Sequence, residues 1–251
     1  MRRSAVWLAA GFALLTAPGL SQEPSRGPDG STHTRVSGVE VLAIPDEPFS
    51  AKDTIDWTRT QADGTNVTMH LDAFLARDSR GRIYRERHRF VPAGTKDSSP
   101  LYEIHMMDPV TRTQLHCNGR TFQCILSDYT PQTSFLETPE GDYDQGNKTL
   151  RRESLGADSI EGIPVVGTRE SMSTRAGAAG NDREMVTTRE IWYSEELKTN
   201  LAVTRDLPLE GKQVIRLSHI SRTEPDGHLW DVPIGFSVKD MRRPVRRARQ
   251  P

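Results

Sequence analysis

WTRTQADGTNVTMHLDAFLARDSRGRIYRERHRF, residues 57–90, decides the fold class. Two glycine turns, one at Asp63-Gly64 and one ending at Gly81, cut it into three segments whose side chains alternate with period two. Turn residues between alternating runs mark an antiparallel meander. In the middle segment Val67, Met69, Leu71, Ala73 and Leu75 share one face, opposite Thr68, His70, Asp72, Phe74 and Ala76. This is the cleanest alternation in the chain, and it predicts a strand with one buried side. In the segment before it, Ile55, Trp57 and Arg59 fall together. The third segment is dominated by Arg82, Arg85, Arg87 and Arg89. It is expected to face water and keep other strands from pairing there.

The same pattern repeats outward from this stretch. Residues 101–107, 113–117, 121–126, 150–160, 169–174, 184–193, 199–205 and 213–222 read as further strands, and 36–44 as a first strand ended by Pro45 and Pro48. The small-residue run 175–181 suits a long hairpin, whereas 127–148 is a long, weakly apolar loop. No amphipathic helix of three capped turns is predicted. Hydrophobic residues make up only 35% of the chain, which fits a sheet with one face in water better than a parallel sheet covered on both sides. The expectation is a mainly β domain over 36–241: a single curved antiparallel sheet, open or half-barrel, with few or no long helices.

The ends are set apart. Residues 1–21 carry Arg2 and Arg3, then an apolar run from Ala5 to Ala17, then Pro18-Gly19-Leu20-Ser21. That order is expected of a cleavable signal peptide and so of a periplasmic or secreted protein; an uncleaved anchor is the alternative. The apolar run falls short of the roughly 20 residues a membrane span needs. Residues 22–35 read as a disordered lead-in and 242–251 as a basic disordered tail. With both ends set aside, the body from Gln22 to Met241 holds 26 Lys and Arg against 34 Asp and Glu. An acidic body argues against nucleic acid as a partner, which calls for a basic footprint.

Cys117 and Cys124 flank the Asn118-Gly119 turn. In an oxidising compartment a lone pair is expected to be bridged, here stapling a hairpin tip, for about 2–3 kcal/mol on the chain-entropy account. Histidines occur at 33, 70, 88, 105, 116, 219 and 228, without His-x-His, His-Glu-x-x-His or Cys-x-x-Cys spacing. Of these, His105 and His116 with the two cysteines are the best candidate metal cluster, and strand histidines facing water are the plainer reading. No metal, cofactor or catalytic residue is assigned, because neither a Gly-x-Ser-x-Gly elbow nor a phosphate-binding glycine loop is present.

Several phrases carry a resemblance. They are Ala62-Asp63-Gly64, residues 77–86, residues 161–169 (EGIPVVGTR), residues 192–197 (WYSEEL) and residues 220–236 (ISRTEPDGHLWDVPIGF). Together they resemble a family of uncharacterised exported proteins of soil acidobacteria, over most of 49–238. More distantly, the strand-rich layout and the closing Val-Pro-x-Gly-aromatic phrase resemble the LolA-like envelope proteins, which include lipoprotein carriers and stress-sensing subunits. The resemblance implies an open, strongly curved antiparallel sheet with an apolar concave side; this chain departs from it in lacking clear helices to cover the concavity. It implies no catalytic residues. On this reading Val67, Met69, Leu71 and Leu75 line a concave site for a lipid or another apolar ligand in a non-enzymatic envelope protein. The expected partner is a lipid, a lipoprotein or another envelope protein, with an interaction or sensor module as the alternative and a hydrolase as the third reading. Periodicity leaves the oligomeric state open.

Overall fold

A computed structural model describes residues 39–96, 99–133, 139–208 and 210–242 of the 251-residue chain. The readings of 1–21 and 22–35, of the tail beyond 242 and of His33 lie outside the described residues. The first half holds β1 (Phe49–Thr60), β2 (Asn66–Arg77), β3 (Ile83–His88), β4 (Val91–Pro92), β5 (Leu101–Asp108), β6 (Thr113–Asn118) and β7 (Gln123–Asp128). The second holds β8 (Gly141–Asp144), β9 (Lys148–Ile160), β10 (Ile163–Thr174), β11 (Met185–Ser194), β12 (Thr199–Leu207), β13 (Gly211–Ser221) and β14 (Ser237–Asp240). A single 3-10 turn, Gly227–Trp230, is the helical element among the described residues.

The strands form one curved, open, antiparallel-rich sheet. Its order is β14-β7-β6-β5-β3-β2-β1-β13-β12-β11-β10-β9-β8, with β4 paired to β2 off that path. Each half is a meander of neighbours in sequence, and the halves join where β1 pairs β13, with Ile55 opposite Ile215 and Asp53 opposite Leu217. The predicted meander is present, and β1 begins earlier than the sequence pattern shows, at Phe49.

The two faces bury different things. On the inner face Phe49, Ala51, Ile55, Leu71, Leu75, Ile83, Val203, Ile215 and Leu217 form one cluster with Val39, Val41 and Ala43. On the outer face Ala76, Tyr84, Ile104, Met106 and the cysteines pack under Leu229, Trp230 and Phe236. The segment between β13 and β14 therefore crosses the back of β2, β3, β5 and β6, and β14 then lies parallel to β7 at the sheet edge. This edge strand, and the short β8 inside the predicted 127–148 loop, are additions to the strands read from sequence. Both are four residues long and mostly exposed, so neither shows a periodic apolar pattern.

Two expectations are corrected. Residues 39–44 make only a single bridge, Val41 to Thr199, and not a first strand. They lie across the inner face, with Val39, Val41, Leu42 and Ala43 all at most 3% exposed. Side chains satisfy part of their backbone: the Thr199 hydroxyl donates to the Glu40 carbonyl (2.8 Å), Arg85 to Val39, and Arg77 to Leu42 (3.1 Å), while the Ala43 amide donates to the Gln132 carbonyl (2.9 Å). The arginine strand does not face outward as a unit. Arg85 and Arg87 point to the inner face, opposite Leu75 and Ala73, with side chains 18% and 20% exposed. Alternation decides this, because they share the parity of buried Ile83.

The β2–β3 turn holds both layers. Asp78 Oδ1 accepts from the backbone amides of Arg80 (3.1 Å) and Arg82 (2.7 Å), and its Oδ2 from Arg82 Nε (2.6 Å). Gly81, at φ 78°, lets the backbone of Ile44 approach where a Cβ would sit 3.0 Å away. On the outer side Arg82 stacks on Trp230 at 4.4 Å, and Glu224 accepts from the Ser79 amide. On the inner side Arg77, fully buried against the Phe49 ring, donates to the carbonyls of Glu47 (2.7 Å), Leu42 (3.1 Å) and Leu197 (3.0 Å). Burial pulls its pKa down to about 10, opposed by Glu47 and Tyr193, and the side chain stays charged at neutral pH.

Replacing Arg77 with Met leaves three carbonyls without that donor, at about 1–3 kcal/mol each where no water replaces it. Arg77→Met is expected to lower unfolding free energy by at least about 3 kcal/mol in urea titration, whereas Arg89→Ala, at an exposed position, stays within about 0.5 kcal/mol of the parent.

Candidate functional site on the inner face

The four residues read as a ligand-lining stripe lie along the inner face of β2 in a gradient. Leu75 is fully buried and Leu71 is 2% exposed, both inside the apolar cluster. Met69 is half-buried, and Val67 is 43% exposed. The segment 39–44 covers the Leu75 end, and the stripe emerges at the other end. Met69 there lies opposite Trp57 on β1 and Pro92 on β4, and Val67 lies opposite Arg59. Phe90 packs against Trp57 with ring centroids 5.8 Å apart, and the Arg59 guanidinium sits 3.8 Å over the Trp57 ring. The indole is held in place by a 2.7 Å hydrogen bond from Nε1 to the Glu210 carbonyl. Next to this apolar end an open cleft of about 830 Å³ lies between the ends of the β1–β2 and β12–β13 hairpins. It is lined by polar groups that include Arg59, Gln61, Asn66, Asp206 and Lys212.

The other half of the inner face is ionic. Asp53, 2% exposed, lies between Leu217 and Ala73, with Arg85 and Arg87 the nearest positive charges. Arg87 donates to Glu103 Oε1 at 3.0 Å. Glu103 Oε2 is 3.5 Å from His105 Nε2 and 3.3 Å from His116 Nε2. Hydrogen bonding to His105 holds Glu103 down at about 2, against its own burial. Burial and the neighbouring His105 push His116 below the ordinary histidine range, with Glu103 opposing. Farther along the same face Glu170 accepts from Arg152 on β9 and from Arg189 on β11 (Nε 3.1 Å), a ladder of charge across three strands.

The cysteines are bridged, as their spacing predicts, and the bridge joins directly opposed residues of β6 and β7 on the outer face. They therefore point away from His105 and His116, and the predicted four-residue cluster divides into a disulfide and a histidine pair. Sequence reading missed Glu103 as the group between the two histidines. The signal was present, because residues 103 and 105 share a face on any strand. Finding it needed the pairing of β5 with β6, which puts His116 opposite His105. Asp53 shares the parity of Phe49, Ala51 and Ile55, so its signal was an acid on the apolar face of β1, legible only once the strand is known to begin at Phe49.

No protein-family model matches the chain, and no curated protein matches it. Among solved structures it is similar to an uncharacterised conserved protein from Thermus thermophilus, at 11% identity and TM-score 0.40, over 77% of this chain and 90% of that one. It is also similar to LprF from Mycobacterium bovis, at 10% identity and TM-score 0.29, over 70% and 88%. A LolA superfamily protein from Nitrosomonas europaea shares 10% identity with TM-score 0.26, over 73% and 89%.

Burial raises the Asp53 carboxyl from 3.8 to about 7, with Arg85, Arg87 and the Val39 backbone opposing the rise. The folded state thus holds a proton that the unfolded chain releases near 3.8. Stability from this group is greatest below that value and is lost as pH rises toward about 7. Between about pH 5 and pH 8 the parent is expected to lose about 2–3 kcal/mol that Asp53→Asn does not lose, read as the difference in urea midpoint between the two proteins across that range.

Proposed function

We propose that this chain is a non-enzymatic envelope protein that holds an amphipathic acyl ligand, such as a lipid, at the open end of its inner face. The observation that carries the proposal is the gradient along β2, from fully buried Leu75 to 43% exposed Val67, at a place where the partly exposed Trp57, Phe90 and Met69 continue the apolar stripe. The partly exposed aromatic and thioether side chains at this end supply apolar area that an acyl chain would cover. The adjoining cleft, with Arg59 and Lys212 at its wall, supplies polar and cationic groups where a headgroup leaves the apolar surface. The Cys117–Cys124 bridge supports a place outside the reducing cytoplasm.

Spin-labelled stearate titrated into the protein is expected to quench Trp57 fluorescence saturably, and Trp57→Phe is expected to remove the quenched component while Trp192 and Trp230 still emit. Met69→Glu puts a charge on the half-buried part of the stripe and is expected to weaken binding at least about tenfold, because a carboxylate there must be desolvated by the acyl chain. Val67→Glu, farther out, is expected to cost less. Native mass spectrometry of protein recovered from its own envelope should show a lipid adduct. Bare protein in every preparation, together with no quenching by the labelled acid, sinks the reading.

A further inference from the structure

Glu103, His105 and His116 converge on one point of the inner face. Glu103 and His105 stand two residues apart on the same face of β5, and His116 stands directly across from His105 on β6. The two imidazoles are tilted against one another, with ring centroids 4.0 Å apart and 33° between planes. Both direct Nε2 at one carboxylate oxygen, and one ligand atom from each of the three residues falls within 4.8 Å of the others. His116 Nε2 is shielded from solvent and makes no hydrogen bond. Its 3.3 Å approach to Glu103 Oε2, like the 3.5 Å approach of His105, is longer than the roughly 2.7–2.9 Å of a charge-assisted hydrogen bond. Two ligands of a tetrahedral ion with bonds of about 2.0–2.1 Å stand about 3.3–3.4 Å apart. The two separations from Glu103 Oε2 are close to that ligand-to-ligand distance.

The surroundings fit the same assignment. Arg87 occupies Glu103 Oε1 and leaves Oε2 for the cluster, an arrangement in which an outer partner orients a ligating carboxylate. The ligands sit on adjacent strands and not on loops, and the disulfide at Cys117, the residue after His116, ties β6 to β7. The histidine side chains are 34% and 44% exposed although His116 Nε2 itself is shielded, which places the cluster at the solvent boundary of the face. Two imidazoles and one carboxylate are donors suited to Zn²⁺, and a three-ligand set leaves one position free. The geometry points to a surface-accessible Zn²⁺ site formed by Glu103 Oε2, His105 Nε2 and His116 Nε2, with Arg87 as its positioning residue. This site stands apart from the acyl-binding end of β2 and does not depend on it.

Zn²⁺ titrated calorimetrically into chelator-stripped full-length protein is expected to bind at one-to-one stoichiometry. His116→Ala and Glu103→Gln should each weaken binding at least about tenfold and Arg87→Ala by about tenfold, whereas His228→Ala, which removes an exposed histidine elsewhere, leaves it unchanged. Co²⁺ in place of Zn²⁺ should give the intense visible absorption of a tetrahedral ion, and His116→Ala should abolish it. No binding by the parent protein, or equal binding by the parent and both ligand variants, overturns the assignment. Should a ligand variant fail to fold, the imidazole resonances of the parent decide. Zinc-induced shifts at His105 and His116 support the site, and shifts elsewhere with these two unmoved overturn it.

Discussion

A buried guanidinium that gives its hydrogen bonds to three backbone carbonyls is the constraint on which the inner layer depends. Arg77 ends β2, yet its partners lie at Leu42, Glu47 and Leu197, in segments far apart in sequence. An apolar side chain there would fill the volume but leave those carbonyls unanswered in a place that water does not reach, and an unmet buried acceptor costs more than a made hydrogen bond returns. A lysine would supply a point charge without the planar fork that lets one side chain serve three acceptors. Through this residue the 39–48 segment is tied to the sheet and to the β11–β12 turn together. The neighbouring Asp78, Gly81 and Arg82 do the corresponding work for the turn and for the outer layer.

The inner face is therefore divided by chemistry. One part is closed by the 39–44 segment over Leu75 and Phe49, another is apolar and open around Trp57 and Met69, and a third is charged around Asp53 and Glu103. Charged side chains on a half-covered face are tolerable only when they neutralise one another. Arg87 with Glu103, and Glu170 between Arg152 and Arg189, do this across neighbouring strands. Asp53 is the exception that makes the face sensitive to pH, because its two cationic neighbours do not outweigh its loss of water.

The fold class was legible in the sequence because period-two alternation is a local property, and 66–77 shows it without interruption. The disulfide was legible for the same reason, since both cysteines belong to one hairpin. What escaped was whatever depends on pairing between distant segments. The arginines of β3 look like a solvated run until the pairing with Leu75 and Ala73 shows which of them turn inward. Residues 39–44 look like a strand because strands and extended straps have the same composition, and only their hydrogen-bond partners distinguish the two. Glu103 became part of a cluster only once β6 was placed beside β5. β14 has four exposed residues, and its existence rests on an edge that β7 leaves open.

The path of the chain from β13 to β14 also has a bearing on how the molecule is made. The sheet grows as two meanders, each of which can pair as it is synthesised, but the seam between β1 and β13 joins strands separated by most of the domain. The cover of the outer face arrives later still, with Leu229, Trp230 and Phe236. Until those residues are present, Tyr84, Ile104 and Met106 have no lid, and the edge of β7 has no neighbour on its open side. Contacts of such high sequence separation slow folding, because the chain entropy must be lost before they form. The last part of the domain to emerge is thus the part that ends its exposure to aggregation, and a chain cut short after β13 keeps every strand of the sheet but β14 yet loses that protection.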